Sequence, residues 1–182
     1  MIITISGLHG TGKSTVGKLI SQELNLNYYS TGQAFRDLAR EHQMTLKEFT
    51  HYAETHPDID LNLDEKIIEI AKEGDILIDS QLSGHILKDL ADFKIHLTCP
   101  VEIRVKRMAE RDGSTFESKY KETTLREESE LQRFKRLYNI DLSDSKTLEA
   151  IHDLIINTEK MSINEVVKLI LSKIELHKSQ KS

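Results

Sequence analysis

The chain of 182 residues has one cysteine, two prolines and no tryptophan, and aromatic residues make up only 5% of it. A single thiol, Cys99, excludes an intrachain disulfide framework and a cysteine-built zinc site. Its setting in HLTCP, at the end of an apolar run, suits a small buried hydrophobe better than a nucleophile. The 8 histidines include no H-x-x-x-H pair and no grouping with acids at zinc spacing, so they read as surface or loop residues. An excess of positive charge is also missing. Lysine and arginine total 25 against 30 aspartates and glutamates, for a net charge of −5, so no broad basic field invites nucleic acid. No apolar run approaches the roughly 18 residues of a membrane helix. No basic residue and apolar core precede the first strand-like run, so no secretory leader is expected. These absences point to a cytoplasmic protein without a membrane or nucleic-acid partner. No exposed apolar stripe is evident, and a monomer is expected.

What is present is a repeated pattern of short apolar runs and helical stripes. MIITIS, at 1–6, reads as a strand buried on both faces. Helical spacing follows at Val16, Leu19, Ile20 and Leu24. NLNYYS (25–30) reads as a second strand and STGQAFRDLAREH (30–42) as a helix opened by cap residues. Helical stretches are expected at about 45–54 and 60–73, with Pro57 in a polar turn between them and Gly74 closing the second. DILIDS (75–80), KIHLTCP (94–100) and HDLIINT (152–158) supply three more strands. Pro100 opens a helix carrying Val101, Val105 and Met108. Residues 115–138 are helical and very polar, and SINEVVKLILSKIEL has a serine cap with a glutamate three residues on. The terminal HKSQKS reads as frayed. Alternating strands and helices predict an α/β fold of three layers, a five-stranded parallel sheet flanked by helices. Residues 1–182 form one domain in this reading, with polar helical insertions at about 31–73 and 109–138.

Glycine is scarce, at 8 residues, yet three of them fall in GLHGTGKST (7–15). Gly7-x-x-x-x-Gly12-Lys13-Ser14 matches the phosphate-binding loop in full, with a strand before it and a helix after it. Glycines let the backbone curl around phosphates, so that the N–H groups of Gly7, Leu8, His9, Gly10, Thr11, Gly12, Lys13, Ser14 and Thr15 can face an anion. Lys13 reaches the β- and γ-phosphates, the Ser14 hydroxyl binds a bridging Mg²⁺, and Thr15 meets the α-phosphate. His9 occupies a free position of the motif and is expected to point away. This predicts ATP as phosphate donor with Mg²⁺, and phosphoryl transfer, without naming an acceptor. A regulatory GTPase is disfavoured, because no Asn-Lys-x-Asp motif is present: NTEK (157–160) lacks the aspartate.

STGQAFR (30–36) resembles the acceptor segment of the nucleoside monophosphate kinases, Ser-Thr-Gly-x-x-x-Arg. That resemblance implies that Ser30, Thr31 and Gly32 line an acceptor pocket and that Arg36 grips its phosphate with a bidentate guanidinium. Of eight arginines, six lie between 104 and 136, in a block that looks like the lid of the same family. Arg107, Arg111, Arg126 and Arg133 are the candidates for stabilising the transferring group. Arg104 and Arg136 read as surface residues, and interleaved Glu127, Glu128 and Glu130 offer ion-pair partners. Three segments resemble the archaeal-type cytidylate kinases in particular: TLREESELQRFKRLYNIDLSD, HDLIINT with SINEVV, and AREHQMTLKEF. The resemblance runs along nearly the whole chain. It implies transfer from ATP to CMP or dCMP. The rivals are UMP, AMP or dephospho-coenzyme A as acceptor, and an ATP-binding assembly factor that is not a kinase. One departure concerns the base. After the third strand the family carries an acid, a small residue and an arginine, and here the text is Asp79-Ser80-Gln81. Gln81 can still donate to and accept from a base. Asp79 either helps read the base or holds a magnesium-bound water.

Overall fold

The computed structural model describes residues 1–181. Its elements run β1 (Ile2–Ser6), α1 (Lys13–Glu23), β2 (Asn27–Ser30), α2 (Thr31–Glu41), α3 (Leu46–Thr55), α4 (Pro57–Glu73) and β3 (Ile76–Asp79). They continue as α5 (Ser83–Ile86), β4 (Phe93–Thr98), α6 (Val101–Asp112), α7 (Phe116–Tyr138), α8 (Ser145–Ile151), β5 (Leu154–Asn157) and α9 (Ile163–Lys181). The five strands form one sheet in the order β2-β3-β1-β4-β5, parallel throughout.

Strand β1 is central because its residues suit burial on both faces. Ile3 and Ile5 are fully buried in the layer that α1 and α9 cover, together with Val16, Ile20, Ile170 and Ile174. Ile76 and Ile78 of β3 turn to the opposite layer, where Ile67 and Ala71 of α4 and Leu87 meet them. Period-two alternation along the strands therefore feeds two apolar layers. From β1 the chain builds β2 and β3 on one side, then crosses to β4 and β5 on the other. That reversal leaves a crevice beyond the carboxyl end of β1, where the glycine loop lies.

Helices α2, α3 and α4 carry a smaller apolar cluster of their own, with Phe35 and Phe49 edge to face at 4.9 Å between ring centroids. Ser30 caps α2, as its sequence signal indicates, and the structure adds a capping box of Thr45 with Glu48 on α3. Three boundaries differ from expectation. Pro57 is the first residue of α4 rather than part of a turn, a position where its missing N–H costs nothing. Helix α8 was not anticipated. It is seven residues long, and only Asp144 at its cap and Leu148 in the core anchor it. The tail is helical through Lys181 rather than frayed, with the His177 ring edge-on to Phe93; Ser182 lies outside the described residues.

The histidines also depart from the surface reading. His85, His96 and His152 are buried together behind the loop, and the Ser6 hydroxyl lies 3.0 Å from His96 Nδ1 and 2.8 Å from His152 Nε2. Burial lowers the pKa of His85 to about 4 and of His96 to about 3, and lowers that of His152 as well, so all three are neutral at pH 7.

Candidate active site

The glycine loop is shaped by contacts that leave no room for side chains. A Cβ on Gly7 would lie 2.2 Å from the Leu97 carbonyl oxygen, and one on Gly10 would lie 2.8 Å from that of Arg104. Both glycines have positive φ, at +132° and +77°. Thr11 Oγ1 and Lys13 Nζ each donate to the Leu8 carbonyl, at 2.9 and 2.8 Å, so the lysine folds over the loop. Burial pushes the Lys13 ammonium below its usual range, against the pull of Asp79, Glu130 and Glu127.

Arg104 braces this loop from behind, and the surface reading of it is overturned. It is 4% exposed. Its Nη1 donates to the His9 carbonyl at 2.7 Å, its Nε to the Cys99 carbonyl at 3.0 Å, and its fork grips Glu127 at 2.5 and 3.0 Å. An arginine one turn into α6 thus ties the loop to α7. Arg136 is exposed as expected, and its Nη2 donates to the Glu54 carbonyl. Cys99 is only half-buried, 3.6 Å from Arg107 Nη1.

At the end of β3, Asp79 Oδ2 accepts from Ser14 Oγ at 2.6 Å and from the Tyr28 hydroxyl at 2.7 Å. Burial and the neighbouring Asp79 charge raise the Tyr28 hydroxyl well above its usual pKa, so it remains a donor.

Two cavities open on either side of the loop. The smaller, about 120 Å³, is lined by Ser30, Thr31, Gly32, Arg36, Asp79 and Gln81, the six residues expected to meet an acceptor. The larger, about 970 Å³, is lined by Gly10, Thr11, Gly12 and Thr15 of the loop and by Arg107 and Arg111. His9, Lys13, Ser14, Arg36 and Arg126 line both. Gly7 and Leu8 line neither; they shape the loop. Arg36 Nη2 donates to Gln33 Oε1 at 3.0 Å, and its acidity is raised by burial and by the repulsion of Arg126 and Arg111. Several cations therefore converge where the cavities meet. Arg107 is held by the Thr158 carbonyl at 2.7 Å and hydroxyl at 3.1 Å, and Arg111 pairs with Asp112 at 2.7 Å.

Arg133 lies apart from that convergence. Of these two cavities it lines only the smaller, 3% exposed, with Nε and Nη2 on the Asp60 carboxylate at 2.8 and 3.3 Å. His9 does not point away either: its Nε2 lies 2.6 Å from Glu130 Oε2. Burial alone raises the Glu130 carboxyl, but His9, Arg126 and Gln81 outweigh it and hold the group well below the usual carboxylate range. Sequence reasoning missed Asp60 and Asp64 in this cavity wall. Their spacing of four on α4 put them on one face and was the available signal. Asp64 is raised to about 6 by burial, and the Tyr138 hydroxyl hydrogen-bonds to it.

Loop, sheet order and paired cavities define a P-loop nucleotide-binding protein, and the family model described as AAA domain matches residues 3–135. Solved structures share the fold at low identity. A shikimate kinase from Bacteroides thetaiotaomicron has a TM-score of 0.62 at 13% identity, covering 96% of this chain and 98% of that one. A gluconokinase from Sinorhizobium meliloti has a TM-score of 0.63 at 12%, covering 98% and 94%. Curated relatives narrow the class. The cytidylate kinase of Sulfurisphaera tokodaii is 42% identical over 171 residues, 93% of each chain, and that of Aeropyrum pernix is 41% identical over 167, covering 92% of this chain and 95% of that one. The cytidylate kinase of Pyrococcus horikoshii is 39% identical over 175 residues, 96% of this chain and 88% of that one. The chain belongs to the cytidylate kinase family.

Proposed function

We propose that the protein transfers the γ-phosphoryl group of ATP to CMP, and to dCMP, by direct in-line displacement. The observation that carries this is the shared wall: His9, Lys13, Ser14, Arg36 and Arg126 line both cavities. ATP takes the larger cavity, with its triphosphate in the glycine loop and its terminal phosphate at Lys13. CMP takes the smaller, with its phosphate between Arg36 and Arg126. The attacking oxygen and the departing ADP then lie on opposite sides of the moving group, where cations offset its charge. A phosphate monoester with a second pKa near 6 is largely a dianion at neutral pH, so attack needs no general base. Arg107 and Arg111 hold the donor side, and Ser30, Thr31 and Gly32 the acceptor side.

Mg²⁺ fits this site. Ser14 and Asp79 supply a hydroxyl and a carboxylate, hard oxygen donors suited to it, while among the described residues no group of three or more His, Cys, Asp or Glu could hold a metal alone. Bound there beside ATP, the ion would neutralise phosphate charge. Helices α2–α4 serve as an acceptor-binding insertion, and 109–138 as a lid whose closure excludes water. Among the described residues no helix is long and apolar enough to cross a membrane. We place the protein in the cytoplasm as a monomer.

The test is ADP release from Mg-ATP with CMP, dCMP, UMP, AMP, GMP, dephospho-coenzyme A or no acceptor. CMP and dCMP well above the rest supports the reading. A lead by another acceptor reassigns the substrate, and equal release in every well replaces the kinase with an ATP-hydrolysing factor.

A further inference from the structure

Three buried polar atoms of residues lining the acceptor cavity have no hydrogen-bond partner: Thr31 Oγ1, Gln81 Oε1 and Arg133 Nη1. Buried polar atoms without partners are uncommon, and three among the residues of one cavity wall point to a missing ligand. The Thr31 hydroxyl can donate or accept, whereas Gln81 Oε1 and Arg133 Nη1 are of fixed and opposite sense, one acceptor and one donor. Each of the latter two is left over by an explicit contact. Arg133 spends Nε and Nη2 on Asp60, which leaves Nη1. Gln81 Nε2 lies 2.8 Å from Glu130 Oε2 and 3.3 Å from His9 Nε2, which leaves Oε1.

The contact with Glu130 also fixes which way the amide faces. Turning the Gln81 amide over would set its carbonyl oxygen against a carboxylate oxygen, acceptor on acceptor. Glu130 is unable to turn away, because His9 Nε2 holds Oε2 at 2.6 Å and Arg126 Nε holds Oε1 at 2.8 Å. It sits on α7, is 3% exposed, and lines the same cavity.

We propose that Glu130 acts as a positioning residue that orients the Gln81 amide, so that Gln81 Oε1 and Arg133 Nη1 select cytosine over uracil. This rests on the CMP kinase reading. Cytosine presents an exocyclic amino group beside the unprotonated N3, a donor next to an acceptor. The amino group meets Gln81 Oε1, and N3 meets Arg133 Nη1. Uracil reverses both: its O4 faces the glutamine carbonyl and its N3–H faces the guanidinium. Each reversal leaves buried groups unpaired, and mismatches of that kind discriminate far more strongly than shape. Glutamine in place of the family arginine thus retains base reading, provided a neighbouring carboxylate settles its orientation.

The test compares kcat/KM for CMP and UMP in the wild type, Glu130→Gln and Gln81→Met. The wild type is expected to prefer CMP by at least about 100-fold. In Glu130→Gln the partner amide can both donate and accept, Gln81 is free to turn, and the preference shrinks at least tenfold. In Gln81→Met it shrinks similarly, through loss with CMP. Glu130 also touches Arg126, so overall rates fall, but a loss common to both substrates cancels in the ratio. A variant too slow to assay is read from the ratio of CMP and UMP dissociation constants by calorimetry. Ratios within twofold of wild type in both variants, or a wild type that treats CMP and UMP alike, overturn the proposal. A wild type that phosphorylates neither pyrimidine overturns the proposed function itself, and this inference with it.

Discussion

Replacing Arg104 by methionine, or Glu127 by glutamine, should destabilise the fold far more than a surface substitution. The two side chains are 4% and 7% exposed, and the guanidinium fork closes on the carboxylate at 2.5 and 3.0 Å. Forming such a pair costs desolvation that its attraction only partly repays, but removing one member strands the other charge in the interior. That loss is about 3–5 kcal/mol. In Arg104→Met the His9 and Cys99 carbonyls lose a donor as well, so the upper end applies. For a chain of this size each kcal/mol lowers Tm by about 2–4 °C, so the single variants should melt about 6–20 °C below wild type. The double variant Arg104→Met/Glu127→Gln removes both charges together and should be clearly more stable than the sum of the singles implies. Urea unfolding followed by circular dichroism gives all four free energies. Single losses below about 1 kcal/mol, or a double variant at the full sum, would refute the description of this pair as a buried, coupled brace.

Further predictions follow from the same geometry. Unfolded histidines titrate near pH 6.5. The folded state therefore binds fewer protons at His85 and His96, whose pKa values fall to about 4 and about 3, and the stability this gives above pH 6.5 is lost as pH falls toward those values. At pH 5 the loss is about 2 kcal/mol each, offset by about 1 kcal/mol from Asp64, whose pKa is raised to about 6. The urea midpoint should fall between pH 7 and pH 5, and an unchanged midpoint would contradict the buried neutral cluster. Arg36→Ala should raise KM for CMP at least tenfold and change KM for ATP much less; initial rates with each substrate varied decide it. Gly10→Ala sets a Cβ 2.8 Å from the Arg104 carbonyl at a φ of +77°, and should weaken ATP binding at least tenfold by calorimetry.

The sheet, its parallel sense and the glycine loop were legible because each has a local cause. Apolar runs buried on two faces, a loop motif and a following helical stripe all occupy adjacent residues. All six residues expected on the acceptor side line one cavity because they sit at the carboxyl ends of β2 and β3 and in the first turns of α2. What stayed hidden depends on pairings across the chain. Nothing near Arg104 announces that Glu127 awaits it 23 residues on, and an arginine in a polar helix looks solvated. His85, His96 and His152 come from three separate stretches of the chain, so no spacing betrays their cluster. Glu130 reaches His9 over 121 residues and Gln81 over 49. Helix α8 was too short for a periodic stripe, and Pro57 serves equally as a turn residue and as a first helical residue.

The most direct measurement follows the terminal phosphate of γ-labelled ATP incubated with CMP, Mg²⁺ and either the wild type or Lys13→Ala. Label should leave ATP and appear in CDP, with none on the protein, and Lys13→Ala should lose the transfer at least 100-fold. Label appearing only as inorganic phosphate, at a rate that CMP does not change, would contradict transfer between two nucleotides across the loop.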